Sequence, residues 1–111
     1  MTWYLIQTKP RSEKVALENL INQGYECYLP MMKVEKVINK QIEVQKVPLF
    51  PRYLFINLDL DFQSKSWVPI RSSRGVSNLV KFGQTPAKIH DELVKHIYSR
   101  EHSSDSKIEP L

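Results

Sequence analysis

A single cysteine, three glycines and three histidines in 111 residues leave little material for several common small-protein designs. Cys27 has no second thiol to pair with, so no disulfide can form within the chain, and this usage fits a reducing cytoplasm. A lone thiol of this kind is expected as a small buried apolar residue. Gly24, Gly75 and Gly83 lie far apart, which excludes a glycine-rich phosphate loop. His90, His96 and His102 do not have the i, i+4 spacing that puts two imidazoles on one helical face. No metal and no other cofactor is expected. No apolar run approaches the roughly 20 residues of a membrane-spanning helix. Met1-Thr2 leads straight into Trp3-Tyr4-Leu5-Ile6 without a basic start or a cleavage site, so neither a membrane anchor nor a signal peptide is expected. Asp59 and Asp61 could share one face of a strand as a metal or acid/base pair, but a strand running into a turn accounts for both. Nothing else suggests catalysis, and the chain is not expected to be an enzyme.

Acidic charge is missing locally. From Asp61 to Asp91 no acid intervenes, whereas Lys65, Arg71, Arg74, Lys81 and Lys88 all fall there. The first twelve residues hold Lys9 and Arg11 and again no acid. The net charge is +4, from 16 basic and 12 acidic residues. If the fold joins the two basic stretches they make a phosphate-attracting patch; otherwise they are scattered cations on a solvated surface.

The apolar pattern then sets out the elements. Trp3 to Thr8 is rich in strand formers and breaks at Lys9-Pro10. Pro10 and Ser12-Glu13 open a helix whose stripe is Val15, Ala16, Leu17, Leu20 and Ile21, with Glu13, Glu18, Asn19 and Asn22 facing away and Gly24 as its cap. Tyr25 to Met32 reads as a strand that Pro30 confines to an edge or a bend. Val34 to Val47 alternates loosely around Ile38-Asn39-Lys40-Gln41, as an exposed hairpin arm would. Tyr53 to Leu58 is a central strand. Ser64 to Ser72 holds a short helix broken near Pro69, Val76 to Phe82 another strand, and Gly83-Gln84-Thr85-Pro86 a turn. Ile89, Leu93, Val94 and Ile97 form a second amphipathic helix with Asp91 and Glu92 in its first turn. The expected fold is α+β: a mostly antiparallel four-stranded sheet, two main helices and a protruding β-hairpin, in one domain over residues 1–101. Residues 102–111 read as a polar linker or disordered tail.

Two blocks name a family. Pro48-Leu49-Phe50-Pro51-Arg52-Tyr53-Leu54-Phe55 and Ser73-Arg74-Gly75-Val76-Ser77-Asn78-Leu79-Val80-Lys81-Phe82-Gly83, with Trp3-Tyr4-Leu5 before them, resemble the N-terminal domain of NusG-type transcription elongation factors. Cys27-Tyr28-Leu29-Pro30-Met31 and Glu35-Lys36 bring the resemblance closest to the specialised RfaH-like branch. It runs from about Trp3 to Tyr98. Family members normally continue into a small β-barrel KOW domain; the sequence here stops at Leu111 in what reads as the linker, as an excised domain or a naturally short member would, and without a KOW domain it is expected to bind polymerase constitutively and not to couple to ribosomes.

The resemblance implies a monomeric antitermination factor with two surfaces. One is an apolar and aromatic depression for the clamp helices of the largest subunit of bacterial RNA polymerase, from which the domain reaches toward the second-largest subunit and suppresses pausing. Motif matching assigns Tyr4, Phe50, Tyr53, Phe55, Val94 and Ile97 to it. Each could equally be core; Tyr53, with a polar tip, suits a half-wet interface best. The other surface is a basic face for the non-template single-stranded DNA: Lys9, Arg11, Arg71, Ser72, Ser73 and Arg74. The chain departs from the RfaH-like pattern at Pro10-Arg11, where the second cation is displaced by one position. It departs again at Ser66-Trp67, which resembles the general NusG form. Ser66 and Trp67 are the candidates for the second-subunit contact, with Trp67 alternatively tucked against the sheet. The competing reading is a stand-alone basic nucleic-acid-binding module with no polymerase contact.

Overall fold

The computed structural model describes residues 2–58 and 67–103, together with the backbone of Ile108–Pro110. The pair at Asp59 and Asp61, and Ser66, lie outside the described residues. At the centre, strand β1 (Thr2–Thr8) pairs antiparallel with β5 (Tyr53–Leu58), bringing Leu5 opposite Phe55 and Gln7 opposite Tyr53. Both strands are nearly continuous apolar runs because both of their faces are covered. Successive side chains point to opposite faces of a strand. Tyr4, Ile6 and Thr8 therefore share one layer with Leu54, Ile56 and Leu58, while Trp3 and Leu5 share the other with Tyr53 and Phe55.

Strand β2 (Glu26–Tyr28) flanks β5 and β6 (Val76–Leu79) flanks β1, giving the order β2-β5-β1-β6, with every pairing antiparallel. The two-residue β9 (Lys88–Ile89) adds a fifth strand on β1 beside Trp3 and Tyr4. This is the α+β architecture expected, with one small strand more than the four anticipated. Pro30 follows the edge strand β2 and is itself buried.

Helix α1 (Glu13–Asn22) covers the first layer, where Ala16 and Leu20 pack with Tyr4, Ile6, Leu54, Ile56, Ile70 and Val76. Its buried stripe is narrower than the sequence suggests: Val15 and Ile21 are 40% and 48% exposed. Pro10 does not open the helix. It sits in a turn, with Arg11 at φ +58° and the Ser12 N–H donating to the Lys9 carbonyl, and the helix starts at Glu13. Gly24 does close it, the Gly24 N–H donating to Ile21 and Tyr25 N–H to Leu20. The short α2 (Val68–Arg71) lies on the same layer and carries Pro69 in its first turn. There the missing N–H would have been unpaired in any case, so proline opens this helix where the sequence reading had it break one. Helix α3 (Asp91–Glu101) covers the other layer, with Val94 against Trp3 and Phe55. Leu93, expected in its stripe, is half exposed.

The arm is longer than the sequence pattern indicates. Strands β3 (Met31–Ile38) and β4 (Gln41–Pro48) pair over eight residues each. The two-residue turn Asn39-Lys40 has both φ angles positive, at +52° and +65°, which matches the natural twist of a hairpin. The arm draws the molecule out to 52 × 28 × 27 Å. Its radius of gyration, 15.5 Å, exceeds the ~13 Å of a compact domain this long. The expected strand from Val76 to Phe82 is interrupted at Val80, whose N–H donates to Leu5. Beyond it, β7 (Lys81–Phe82) folds back on β8 (Thr85–Pro86) through Gly83-Gln84, where the turn was expected. The backbone of β10 (Ile108–Pro110) pairs parallel with β3. That stretch of the polar tail is therefore strand, because backbone pairing along the arm needs no apolar side chains. Among the described residues no helix is long and apolar enough to cross a membrane.

Candidate nucleic-acid and protein interfaces

The two basic stretches meet. Where β1 ends, the Thr8 N–H donates to the Arg52 carbonyl at 2.7 Å and the Lys9 N–H to the Gly75 carbonyl at 2.8 Å. These bonds set Lys9 and Arg11 beside Arg74, all three exposed. The approach is close because residue 75 is glycine: a Cβ there would lie 2.9 Å from the Ala16 nitrogen and 3.1 Å from the Ser12 oxygen.

Arg52 joins this corner. Its backbone, at φ +73°, donates to Glu13 Oε2 at 3.2 Å, and its Nε donates to the Thr8 carbonyl at 3.3 Å. Sequence reasoning missed it, since Arg52 lies in neither acid-free stretch. Its place inside the Pro48–Phe55 block was the available signal.

Ser72 is exposed, but Ser73 is only 7% exposed. Its hydroxyl donates to the Pro69 carbonyl and accepts from Gln23 Nε2, each at 2.7 Å. Ser73 thus pins α2 to the end of α1 and has no hydroxyl left to offer a phosphate. Arg71 is exposed and lines a groove between α2 and β6.

On the opposite layer the aromatic residues form a row. Phe50 meets Phe55 edge-on at 6.4 Å, Phe55 stacks on Tyr28 at 6.1 Å, Tyr28 meets Tyr98 at 5.5 Å, and Tyr98 stacks on His102 at 4.0 Å. Tyr28 also donates its hydroxyl to Glu101, tying β2 to the end of α3. Burial first, and this carboxylate second, push the Tyr28 phenol well above its ordinary range.

Of the residues assigned to the depression, Phe50 is 41% exposed, while Tyr53 and Ile97 are half-buried. Phe55 and Val94 are buried and form the floor. Tyr4 does not belong: it is 2% exposed on the other layer, edge-on to Trp67 at 5.3 Å, because residue 4 of β1 has the wrong parity for this face. Trp67 is half-buried against the α1–α2 core, so its tucked placement is the observed one. Tyr28 and Tyr98 are additions that the sequence pass did not single out. They reach the row through the pairing of Tyr28 with Phe55 across β2 and β5.

Little reactive chemistry accompanies these surfaces. Among the described residues no group of His, Cys, Asp or Glu could hold a metal. Cys27 packs against the first core, and burial, with help from Glu26, pushes its thiol up to about 12. It is an inert packing residue. Asp91 accepts from Lys95 at 2.8 Å and from Trp3 Nε1 at 3.1 Å, which holds its carboxyl below the usual range and fastens α3 to β1.

A family model described as transcription termination factor nusG matches residues 1–98. The transcription termination/antitermination protein NusG of Borreliella burgdorferi is 32% identical over 111 aligned residues, covering 86% of this chain and 59% of that protein. Its counterpart in Helicobacter pylori strain J99 is 32% identical over 110, covering 90% and 61%. A solved structure titled "Domain interaction in Thermotoga maritima NusG" superposes with a TM-score of 0.65 at 18% identity, over 96% of this chain and 60% of that one, a likeness of fold. The chain spans about six-tenths of the length of the curated relatives it matches. On the family match across all but its last thirteen residues, together with a fold that follows the same pattern, the chain belongs to the NusG family.

Proposed function

We propose that this chain is a transcription elongation and antitermination domain that acts in the cytoplasm on bacterial RNA polymerase. The observation that carries the reading is the aromatic row on one layer of the sheet. It is floored by buried Phe55 and Val94 and left half open at Phe50, Tyr53 and Ile97. A coiled-coil tip is convex, with apolar and charged groups mixed, and a concave aromatic floor with few charges is its natural receptor. The clamp helices of the largest polymerase subunit are the partner proposed for it.

The corner of Lys9, Arg11, Arg52 and Arg74 is the surface proposed for the displaced non-template strand. Its cations supply affinity and register through phosphates. Holding polymerase and strand together opposes the rearrangements that accompany pausing. Within the family we place the chain nearest the RfaH-like branch.

Tyr53→Ala tests the reading. It should abolish recovery of purified polymerase on the immobilised chain and leave DNA binding within about twofold, whereas Arg74→Ala should do the reverse. Retention of full polymerase binding by Tyr53→Ala together with Phe50→Ala would sink the proposal and favour a stand-alone nucleic-acid-binding module.

A further inference from the structure

A second basic feature lies outside the corner. Between α2 and the edge strand β6 runs a groove of about 130 Å³ lined by Trp67, Ile70, Arg71, Asn78, Leu79 and Lys81. Small-molecule pockets enclose ~300–1,000 Å³, so this groove accepts one flat ring and not a whole free ligand. Ile70 and Leu79 give it apolar surface, and Trp67, edge-on to Tyr4 on one side, is half-buried. Arg71 and Lys81 stand exposed on either side of it, and no described carboxylate forms an ion pair with either. Asn78 lies opposite Gln7 and turns its side chain with it toward the other layer, and the outer edge of β6 pairs with no other described strand of the main sheet. Two cations and an indole around a ring-sized slot match the chemistry of a nucleotide within a strand: phosphates at the ends and a π face between.

The position matters as much as the chemistry. Arg71 is three residues before Arg74 of the corner, and Lys81 seven residues after it, at most about 25 Å along the chain. A strand held at the corner therefore has the groove within reach of a few nucleotides. We infer that the groove seats one base of that single DNA strand against Trp67, with Arg71 and Lys81 on the flanking phosphates. This extends the DNA reading proposed above and rests on it. Phe82, 77% exposed, is the neighbour of Lys81 but outside the groove, and serves as a control.

The test is equilibrium binding of the full chain to (dT)15 and to a fifteen-unit abasic oligomer, followed by tryptophan quenching and by anisotropy of end-labelled strands over a salt series. Arg71→Ala and Lys81→Ala should each weaken (dT)15 binding and lower the log–log salt slope by about 0.7. Phe82→Ala should leave binding within about twofold. The wild type should prefer (dT)15 to the abasic oligomer by about fivefold or more, the effect of one stacked base. Trp67→Leu, checked for folding by circular dichroism, should erase that preference.

Unchanged affinity and slope in Arg71→Ala and Lys81→Ala, with Arg11→Ala and Arg74→Ala weakened, would overturn the groove and leave the corner standing. No binding of (dT)15 by the wild type at low salt would overturn both. Tenfold tighter binding of (rU)15 than of (dT)15 would overturn the assignment to DNA.

Discussion

Gly75→Ala is the substitution that most directly probes how the basic corner is built. Gly75 sits at φ +85°, where a side chain strains the backbone by about 1–2 kcal/mol. The added methyl would also lie 2.9 Å from the Ala16 nitrogen and 3.1 Å from the Ser12 oxygen. Those two atoms form the first hydrogen bond of α1, 2.9 Å long. Relieving the clash must part them or push the 72–75 loop outward, and losing that bond costs a further ~1 kcal/mol. The expected destabilisation is about 2–3 kcal/mol, which a domain with ~5–15 kcal/mol of stability survives folded.

Gly24→Ala supplies the control. Gly24 is at φ +96° with nothing within 4 Å of a built Cβ, so only the strain applies, at about 1–2 kcal/mol. Urea unfolding of the two variants, compared at constant m-value, isolates the contact term. Because the Lys9 N–H bonds the Gly75 carbonyl, Gly75→Ala should also weaken (dT)15 binding while Gly24→Ala does not. Equal stability of the two variants would refute the close approach, and with it the account of why the two basic stretches meet.

Other consequences are more local. Thr8 is fully buried and its hydroxyl has no hydrogen-bond partner among the described residues. Thr8→Val should raise stability by about 1 kcal/mol, read as a higher urea midpoint; a loss would mean that the hydroxyl is satisfied. The Asp91 carboxyl is depressed below its ordinary 3.8, first by Lys95 and then by Trp3. Its contribution is therefore present above about pH 4 and disappears as the pH falls toward the folded value. The wild type should unfold at higher urea than Asp91→Asn at pH 7, with the gap closing below pH 4, and a pH-independent gap would contradict the pairing. Cys27, pushed up to about 12, should alkylate with iodoacetamide at pH 8 at least a hundredfold more slowly than a free thiol, as followed by mass spectrometry.

Strands and helices were legible where one physical signal dominated. The run Tyr53 to Leu58 is too short for a buried helix and too apolar for an exposed strand, so its central place followed. The arm followed from alternation about Asn39-Lys40, although its full length did not: Met31, Met32 and Pro48 carry no alternating signal, and only pairing across the arm makes them strand. The error at Pro69 came from taking proline as a breaker when it opens a four-residue helix. At the interfaces, identity was legible and facing was not. Tyr4 and Phe55 both sit in quoted blocks, but which layer each enters depends on the register between β1 and β5, a property of two segments fifty residues apart. Ser73 looked available because a serine beside arginines suggests phosphate; only the fold reveals that Gln23 and Pro69 already hold it. Arg52 was overlooked because charge was read along the chain, whereas the Thr8 carbonyl brings it to the corner from 44 residues away.

The parity of β1 has a consequence for how this domain can change. Even-numbered residues Tyr4, Ile6 and Thr8 support the layer under the basic corner, while odd-numbered Trp3 and Leu5 support the layer under the aromatic row. One seven-residue strand thus serves as a partition wall with separate tenants on its two sides. Conservative substitutions in one layer touch no side chain in the other, so their free energies should add in a double-mutant cycle. A lineage could retune the basic corner while the aromatic row drifts on an independent clock. The exchange would be constrained only where the wall itself bends, at the register shift between Gln7 and Thr8.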